Sequence, residues 1–106
     1  MRGEVHRLRA PRGPHAARGH EQGGPRYAVV VQSDLLPLST WLVAPTSTSA
    51  REATFRPLVE VGGQPTRVLA EQTAAVDPSR LGDAVGYLSL DELQRVDAAL
   101  RLVLDL

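Results

Sequence analysis

The stretch "GHEQGGPRYAVVVQSD", residues 19–34, decides the reading of the fold. Its second half, Tyr27-Ala28-Val29-Val30-Val31, is an unbroken β-rich apolar run, the pattern of a strand buried on both faces. Its first half crowds His20, Glu21, Gln22 and Arg26 around Gly23, Gly24 and Pro25. An imidazole, an acid, an amide and a guanidinium therefore share a glycine hinge at the mouth of a core strand, and that concentration of chemistry needs a reason.

Working outward, Gly3 to Arg9 alternates and reads as a weak first strand at a sheet edge. Ala10 to Gly24 carries Pro11, Gly13, Pro14, Gly19, Gly23 and Gly24, so a long basic loop at about residues 10–24 is expected. The central strand runs from Tyr27 to Gln32 and breaks at Ser33-Asp34 and Pro37. Thr40 to Ala44 reads as a strand stopped by Pro45, with the hydroxyl cluster Thr46-Ser47-Thr48-Ser49 at its end. Phe55 to Val61 alternates around Leu58 and Val59 before Gly62-Gly63 turns the chain. Val68 to Gln72 reads as a strand after Pro65, Asp77 to Leu81 as a turn or short helix with Pro78 at its first position, and Ala84 to Leu88 as a short last strand.

The C-terminal segment has the clearest signature. Ser89-Leu90-Asp91-Glu92 is a capping box, and Leu90, Leu93, Val96, Leu100, Val103 and Leu104 recur at helical spacing. The sequence predicts an amphipathic helix of about four turns covering one side of the sheet. Its stripe, with the apolar residues around Trp41, exceeds what one small barrel needs to cover, which predicts a second copy as partner. The fold class expected is mainly β with helices: a small barrel-like domain with a helical cap.

A chain of 106 residues is one domain by length, residues 1–106, large enough to hold a core without covalent staples. The absence of cysteine rules out a disulfide framework and thiolate metal sites and fits a cytoplasmic protein. No apolar h-region follows Met1-Arg2-Gly3-Glu4, so no signal peptide is read. No apolar run approaches the ~18 residues of a membrane span, so no membrane partner is expected. Net charge is zero, yet residues 1–26 carry six arginines against Glu4 and Glu21, and the remainder six against ten acids. All three histidines (His6, His15, His20) lie in the basic part and there is no lysine. A basic segment on a neutral chain points to a local anionic ligand, for which arginine supplies paired donors. Three histidines with Glu21 match no metal-ligand spacing, so no metal and no cofactor is expected.

In order and spacing, several segments together resemble one family. They are Arg2-Gly3-Glu4-Val5, Glu21-Gln22-Gly23-Gly24, Arg26, Ala28 to Asp34, Val43-Ala44-Pro45-Thr46-Ser47, Glu71-Gln72, and Ser79-Arg80-Leu81-Gly82 through Leu100. The chain is similar over nearly its whole length to the MazF/PemK toxin endoribonucleases of type II toxin–antitoxin systems. The resemblance implies a small SH3-like β-barrel of the CcdB/MazF type with a C-terminal helix, and a homodimer. It also implies metal-independent, sequence-specific cleavage of single-stranded RNA, and silencing by a cognate antitoxin. The family's catalytic arginine falls on Arg26. Its catalytic threonine falls on Ser47, with Thr46 and Thr48 one residue to either side as alternatives.

The residues suit that chemistry by themselves. Cleavage by a neighbouring 2′-OH needs a base, an acid for the leaving 5′-oxygen, and positive charge at the phosphorane. Arg26 supplies fixed charge, and a guanidinium gives up its proton reluctantly, so its role is electrostatic. Glu21 or His20 can serve as base. Gly23 and Gly24 let backbone N–H groups approach a phosphate, and Gln22, Thr46, Thr48 and Gln72 complete the expected RNA contacts. His20 stands where the family usually has serine, and the loop before it is longer and more basic than usual.

Plainer readings stand beside these. Glu21 and Arg26 form an ion pair closing the loop, His20 is solvated, Trp41 is packing, and Glu71 and Gln72 are structural. Two functional alternatives come from other classes. One is an RNA- or protein-binding module with weak or no catalysis. The other is a CcdB-like gyrase inhibitor, which relies on a Trp-Gly-Ile ending that Leu104-Asp105-Leu106 does not supply.

Overall fold

The computed structural model describes residues 1–9 and 26–106. The expected basic loop, with His15, His20, Glu21, Gln22, Gly23 and Gly24, lies outside the described residues. The elements in chain order are β1 (Glu4–Leu8), β2 (Tyr27–Val30), β3 (Trp41–Ser47), β4 (Leu58–Val61) and β5 (Gln64–Val68). A 3₁₀ turn, Ala70–Gln72, precedes β6 (Ala74–Val76), and a second, Pro78–Arg80, precedes β7 (Leu81–Tyr87) and α1 (Leu90–Leu104).

The strands hydrogen-bond in the order β4-β5-β3-β2-β1-β7, with β6 branching from β3. β2 sits at the centre for the reason its sequence suggests. Val29 and Val31 face a cluster with Val5, Ala44, Val59, Val68 and Val96, while Ala28 and Val30 face a second cluster with Val43 and Leu81. Two apolar layers meet on one strand, so every side chain from Ala28 to Val31 is buried.

Helix α1 covers the first layer, burying Val96 and Ala99, with Leu93 and Leu100 packed against the cluster. Its capping box is present in both directions: Ser89 Oγ accepts from Glu92 N, and Glu92 Oε1 accepts from Ser89 N. The second oxygen of Glu92 accepts from Glu60 N at 2.8 Å, which fastens the helix start to β4. Leu93, Val96 and Leu100 of the apolar stripe are thus consumed inside the fold, while Leu90, Val103 and Leu104 stay exposed. The apolar side chains left exposed on the last turn and tail are Leu102, Val103, Leu104 and Leu106, and Leu35, Leu36 and Leu38 are exposed before β3.

Three expectations need correction. β1 is interior, because β7 pairs along its other side. β3 does not stop at Pro45. Pro45 O accepts from Leu69 N at 2.8 Å, so its nitrogen faces the same side, where β6 has ended at Val43 and β5 pairing starts at Thr46. No ladder bond is lost there, and the proline is tolerated. β5 is Gln64–Val68, not Val68–Gln72. Pro65 lies where β5 pairs only with β4, and Ala70–Gln72 turns as 3₁₀. β6, three residues long and rich in alanine, carries no strand signature in the sequence. The Gly62-Gly63 turn is as read: φ is 60° and 82°, the pair of positive values a two-residue type I′ hairpin requires.

Candidate functional site

β2 and β3 run antiparallel with Val30 opposite Val43 and Ala28 opposite Pro45. Arg26 lies one residue before β2, and continuing the register two residues past the Ala28–Pro45 pair aligns it with Ser47. Both belong to the face shared by Val30, Ala28, Val43 and Pro45, because strand side chains alternate with period two. β1 adds Leu8 to this row, its N–H donating to Arg26 O at 2.8 Å. The row therefore begins on an apolar side chain and ends on a guanidinium and a hydroxyl at the open end of the sheet. Arg26 is exposed, and among the described residues it makes no ion pair.

The hydroxyl cluster divides by strand alternation. Thr46 is buried and its Oγ1 donates to Tyr27 O at 3.2 Å, so it closes the β2–β3 seam. Ser47 is half-buried on the opposite face, the face of Arg26. Its Oγ accepts from Ser49 N at 3.2 Å and lies 3.3 Å from Ser49 Oγ, so the turn after β3 holds the hydroxyl in place. Thr48 is exposed in that turn. Of the three hydroxyls Thr46, Ser47 and Thr48, the fold leaves Ser47 both ordered and presented beside Arg26, while Thr46 faces the interior.

Glu71 and Gln72 part ways. Glu71 Oε2 accepts from Arg56 Nε at 2.9 Å and Nη2 at 2.6 Å, a fork that closes the segment between β3 and β4 onto the 3₁₀ turn. Gln72 is exposed at the end of that turn, which packs against β3. Trp41 packs on the second cluster and meets the His6 ring edge-on at 5.8 Å, so it is a packing residue.

Arg67 and Arg56 are residues that sequence reasoning missed. Arg67 is the β5 partner of Ser47, and its Nη1 donates to Arg56 O at 2.9 Å. A groove of about 590 Å³ opens beside them, lined by Arg56, Arg67, Arg95, Glu52, Leu58 and Ala98. Only the β3–β5 register brings Arg67 to Ser47, and the misplaced β5 boundary hid it.

Among the described residues no group of three or more His, Cys, Asp or Glu side chains could hold a metal ion. Nor is any helix among them long and apolar enough to cross a membrane. His6 is buried on β1, with Nε2 2.7 Å from Glu4 Oε1 and Nδ1 3.0 Å from Gly82 O. Both of its nitrogens are engaged in tying β1 to β7 and to its own strand.

With the geometry in hand, comparison with known proteins is specific. Residues 1–104 match the family model described as PemK-like, MazF-like toxin of type II toxin–antitoxin system. A Mycobacterium tuberculosis protein named as a candidate toxin is 46% identical over 92 residues, 86% of this chain and 87% of that protein. A mycobacterial endoribonuclease solved in complex with its cognate antitoxin superposes with a TM-score of 0.77 at 17% identity, covering 100% of this chain and 95% of the other. MazF from Deinococcus radiodurans superposes at 0.75 with 24% identity, covering 99% and 96%.

Proposed function

The chain belongs to the PemK-like, MazF-like toxin family of type II toxin–antitoxin systems, and on that premise we propose that it is a metal-independent endoribonuclease. It cuts single-stranded RNA at preferred sequences, acts as a homodimer in the cytoplasm to block translation and growth, and is silenced by a cognate antitoxin. The observation that carries this reading is the register that sets Arg26 beside Ser47 on one face, at the open end of two core strands.

The chemistry follows from that pairing. The ribose 2′-OH attacks the adjacent phosphorus and gives its proton to a base, for which Glu21 and His20 on the loop before β2 are the candidates. Charge builds on the non-bridging oxygens of the phosphorane. The Arg26 guanidinium offsets it without changing its own protonation, and the Ser47 hydroxyl donates a hydrogen bond. The 5′-oxygen leaves and is protonated by whichever of His20 and Glu21 carries the proton. The products are a 2′,3′-cyclic phosphate and a 5′-hydroxyl. Rigid strands hold Arg26 and Ser47, so little reorganisation is needed as the charge develops. Gln22, Gly23, Gly24 and Thr48 line the bound strand in this reading, and Gln72 contacts RNA bases or antitoxin.

The test is to incubate the purified protein with a long single-stranded RNA in EDTA and map the new ends. Fragments with 5′-hydroxyl and 2′,3′-cyclic phosphate ends, clustered at a short motif, are expected. Intact RNA, or cleavage that appears only when a divalent metal is restored, overturns the proposal.

A further inference from the structure

We infer that Arg67 extends the Arg26–Ser47 site into a second phosphate contact, so that the RNA track runs from β2 across β3 and β5 into the arginine-lined groove. This rests on the reading of the site as an RNA nuclease.

Ser47 and Arg67 are directly paired on neighbouring antiparallel strands, which sets their Cα atoms about 5 Å apart with side chains on one face. The alternation agrees: Thr46, Thr66 and Val68 are buried, while Ser47 and Arg67 face outward. Arg26, Ser47 and Arg67 therefore form one row across three strands. That row places a guanidinium on either side of the hydroxyl, about one strand spacing away in each direction. The spacing suits two consecutive phosphates of an extended single strand, one at Arg26 and Ser47 and the next at Arg67.

Arg67 is held for such a role. Its Nη1 donates to Arg56 O, and Arg56 is in turn fixed by its fork onto Glu71. Arg56 and Arg95 both have carboxylate partners, Glu71 and Asp91. Arg67 has none among the described residues, with Glu52 the one carboxylate among the residues that line the groove. An aimed guanidinium with spare N–H donors suits a phosphate oxygen. Beyond it, Leu58 and Ala98 give the groove apolar lining that a nucleobase can cover. A protein partner with an acidic segment is the rival occupant, and the experiment separates the two.

The experiment uses a single-stranded RNA oligonucleotide with 2′-fluoro in place of every 2′-hydroxyl, which has no nucleophile and cannot be cut. Its affinity is measured by anisotropy across salt concentrations for the wild-type protein, Arg67→Ala and Arg67→Lys. A parallel series measures steady-state cleavage of the unmodified RNA. Arg67→Ala is expected to bind about tenfold more weakly, with a salt slope shallower by about 0.7, the loss of one single-strand phosphate contact. Its KM should rise while kcat stays near wild type, and Arg67→Lys should restore much of the slope. An Arg67→Ala protein with wild-type affinity and slope overturns the inference and leaves the nuclease reading standing. Loss confined to binding of a polyglutamate peptide also overturns it, in favour of the acidic-segment occupant. A wild-type protein that binds the oligonucleotide with the expected Arg67 dependence but cuts nothing supports the contact and removes the nuclease reading. A wild-type protein that binds no RNA overturns both.

Discussion

The Thr46 hydroxyl donates to the main-chain carbonyl of Tyr27 at 3.2 Å, from a side chain that is 6% exposed. One residue later the strand has turned its next side chain outward, so neighbouring hydroxyls of similar chemistry serve different ends. Thr46 stabilises the β2–β3 seam, and Ser47 faces the candidate phosphate position.

Substitution separates the two hydroxyls. Thr46→Val should cost about 1 kcal/mol of stability, the net worth of one hydrogen bond in a shape-preserving replacement. The folded variant should keep most of its RNA cleavage. Ser47→Ala should melt near wild type but cleave roughly a hundredfold more slowly, as loss of one donor to developing negative charge does elsewhere. Ser47→Thr should remain active. Chemical denaturation paired with single-turnover cleavage checks both arms, and a reversed pattern would move the catalytic role to Thr46.

Arg26→Ala should leave the fold intact, because the side chain is exposed and its strand contacts run through the backbone carbonyl. Cleavage should fall at least a hundredfold, about 3 kcal/mol at the transition state. Arg26→Lys should recover little, since an ammonium cannot present the paired donors of a guanidinium. A folded Arg26→Ala protein that cuts RNA near the wild-type rate would sink the electrostatic role.

The central strand and the final helix were legible because each rests on a local signal. Residues 28–31 announce two-sided burial by their unbroken apolar run, and Ser89 and Glu92 announce a helix start by a reciprocal cap. The failures were places where tertiary pairing decided. Pro45 stops a strand only if its nitrogen faces a partner, and here that side is a handover between β6 and β5. Val68 to Gln72 has strand composition, yet β5 ends at Val68 and the next residues turn. Arg26 was readable as a candidate because an arginine at the mouth of a core strand is local information. Arg67 was not, since its relation to Ser47 exists only in the β3–β5 register.

The Glu92 carboxylate accepts from two backbone N–H groups, Ser89 N in the capping box and Glu60 N on β4, while its own N–H donates to Ser89 Oγ. Ser89→Ala should cost about 1 kcal/mol as a lost cap, and Glu92→Ala should cost more because the β4 anchor goes with it. The first loss corresponds to a fall in Tm of roughly 4–8 °C for a domain of this size. If calorimetry gave equal losses for the two variants, the Glu60 contact would be contributing nothing.

Assembly is expected through the apolar side chains the fold leaves outside. Leu35 is 88% exposed and Leu106 80%, and Leu36, Leu38, Leu102 and Leu104 accompany them. A twofold dimer would cover equivalent patches on both copies. Sedimentation equilibrium at micromolar concentration should give twice the 11.4 kDa chain mass. A clean monomer would refute the dimer.

The Glu4–His6 contact gives the fold an acid limb. Glu4 sits 2.7 Å from His6 Nε2, and this hydrogen bond is the largest influence on its carboxyl, holding it below its usual 4.5. The Met1 amino group, 3.5 Å away, and the Tyr87 hydroxyl also face it and act in the same direction, while burial opposes them. Because the folded value is depressed, the unfolded chain takes up the proton first as pH falls. The stabilisation is therefore complete above about pH 5 and declines as pH drops through the unfolded value towards the folded one. Glu4→Gln removes the titrating group, so it should lower stability at pH 7 and flatten the loss between about pH 5 and 3. Asp77, held low by its bond from Ser79 N, and Glu92, whose carboxyl is also depressed, keep part of that limb in place. Urea unfolding at half-unit pH steps for both proteins reads the difference directly. Parallel curves below pH 5 would show that Glu4 carries no folding linkage and that its contact with His6 is electrostatically idle.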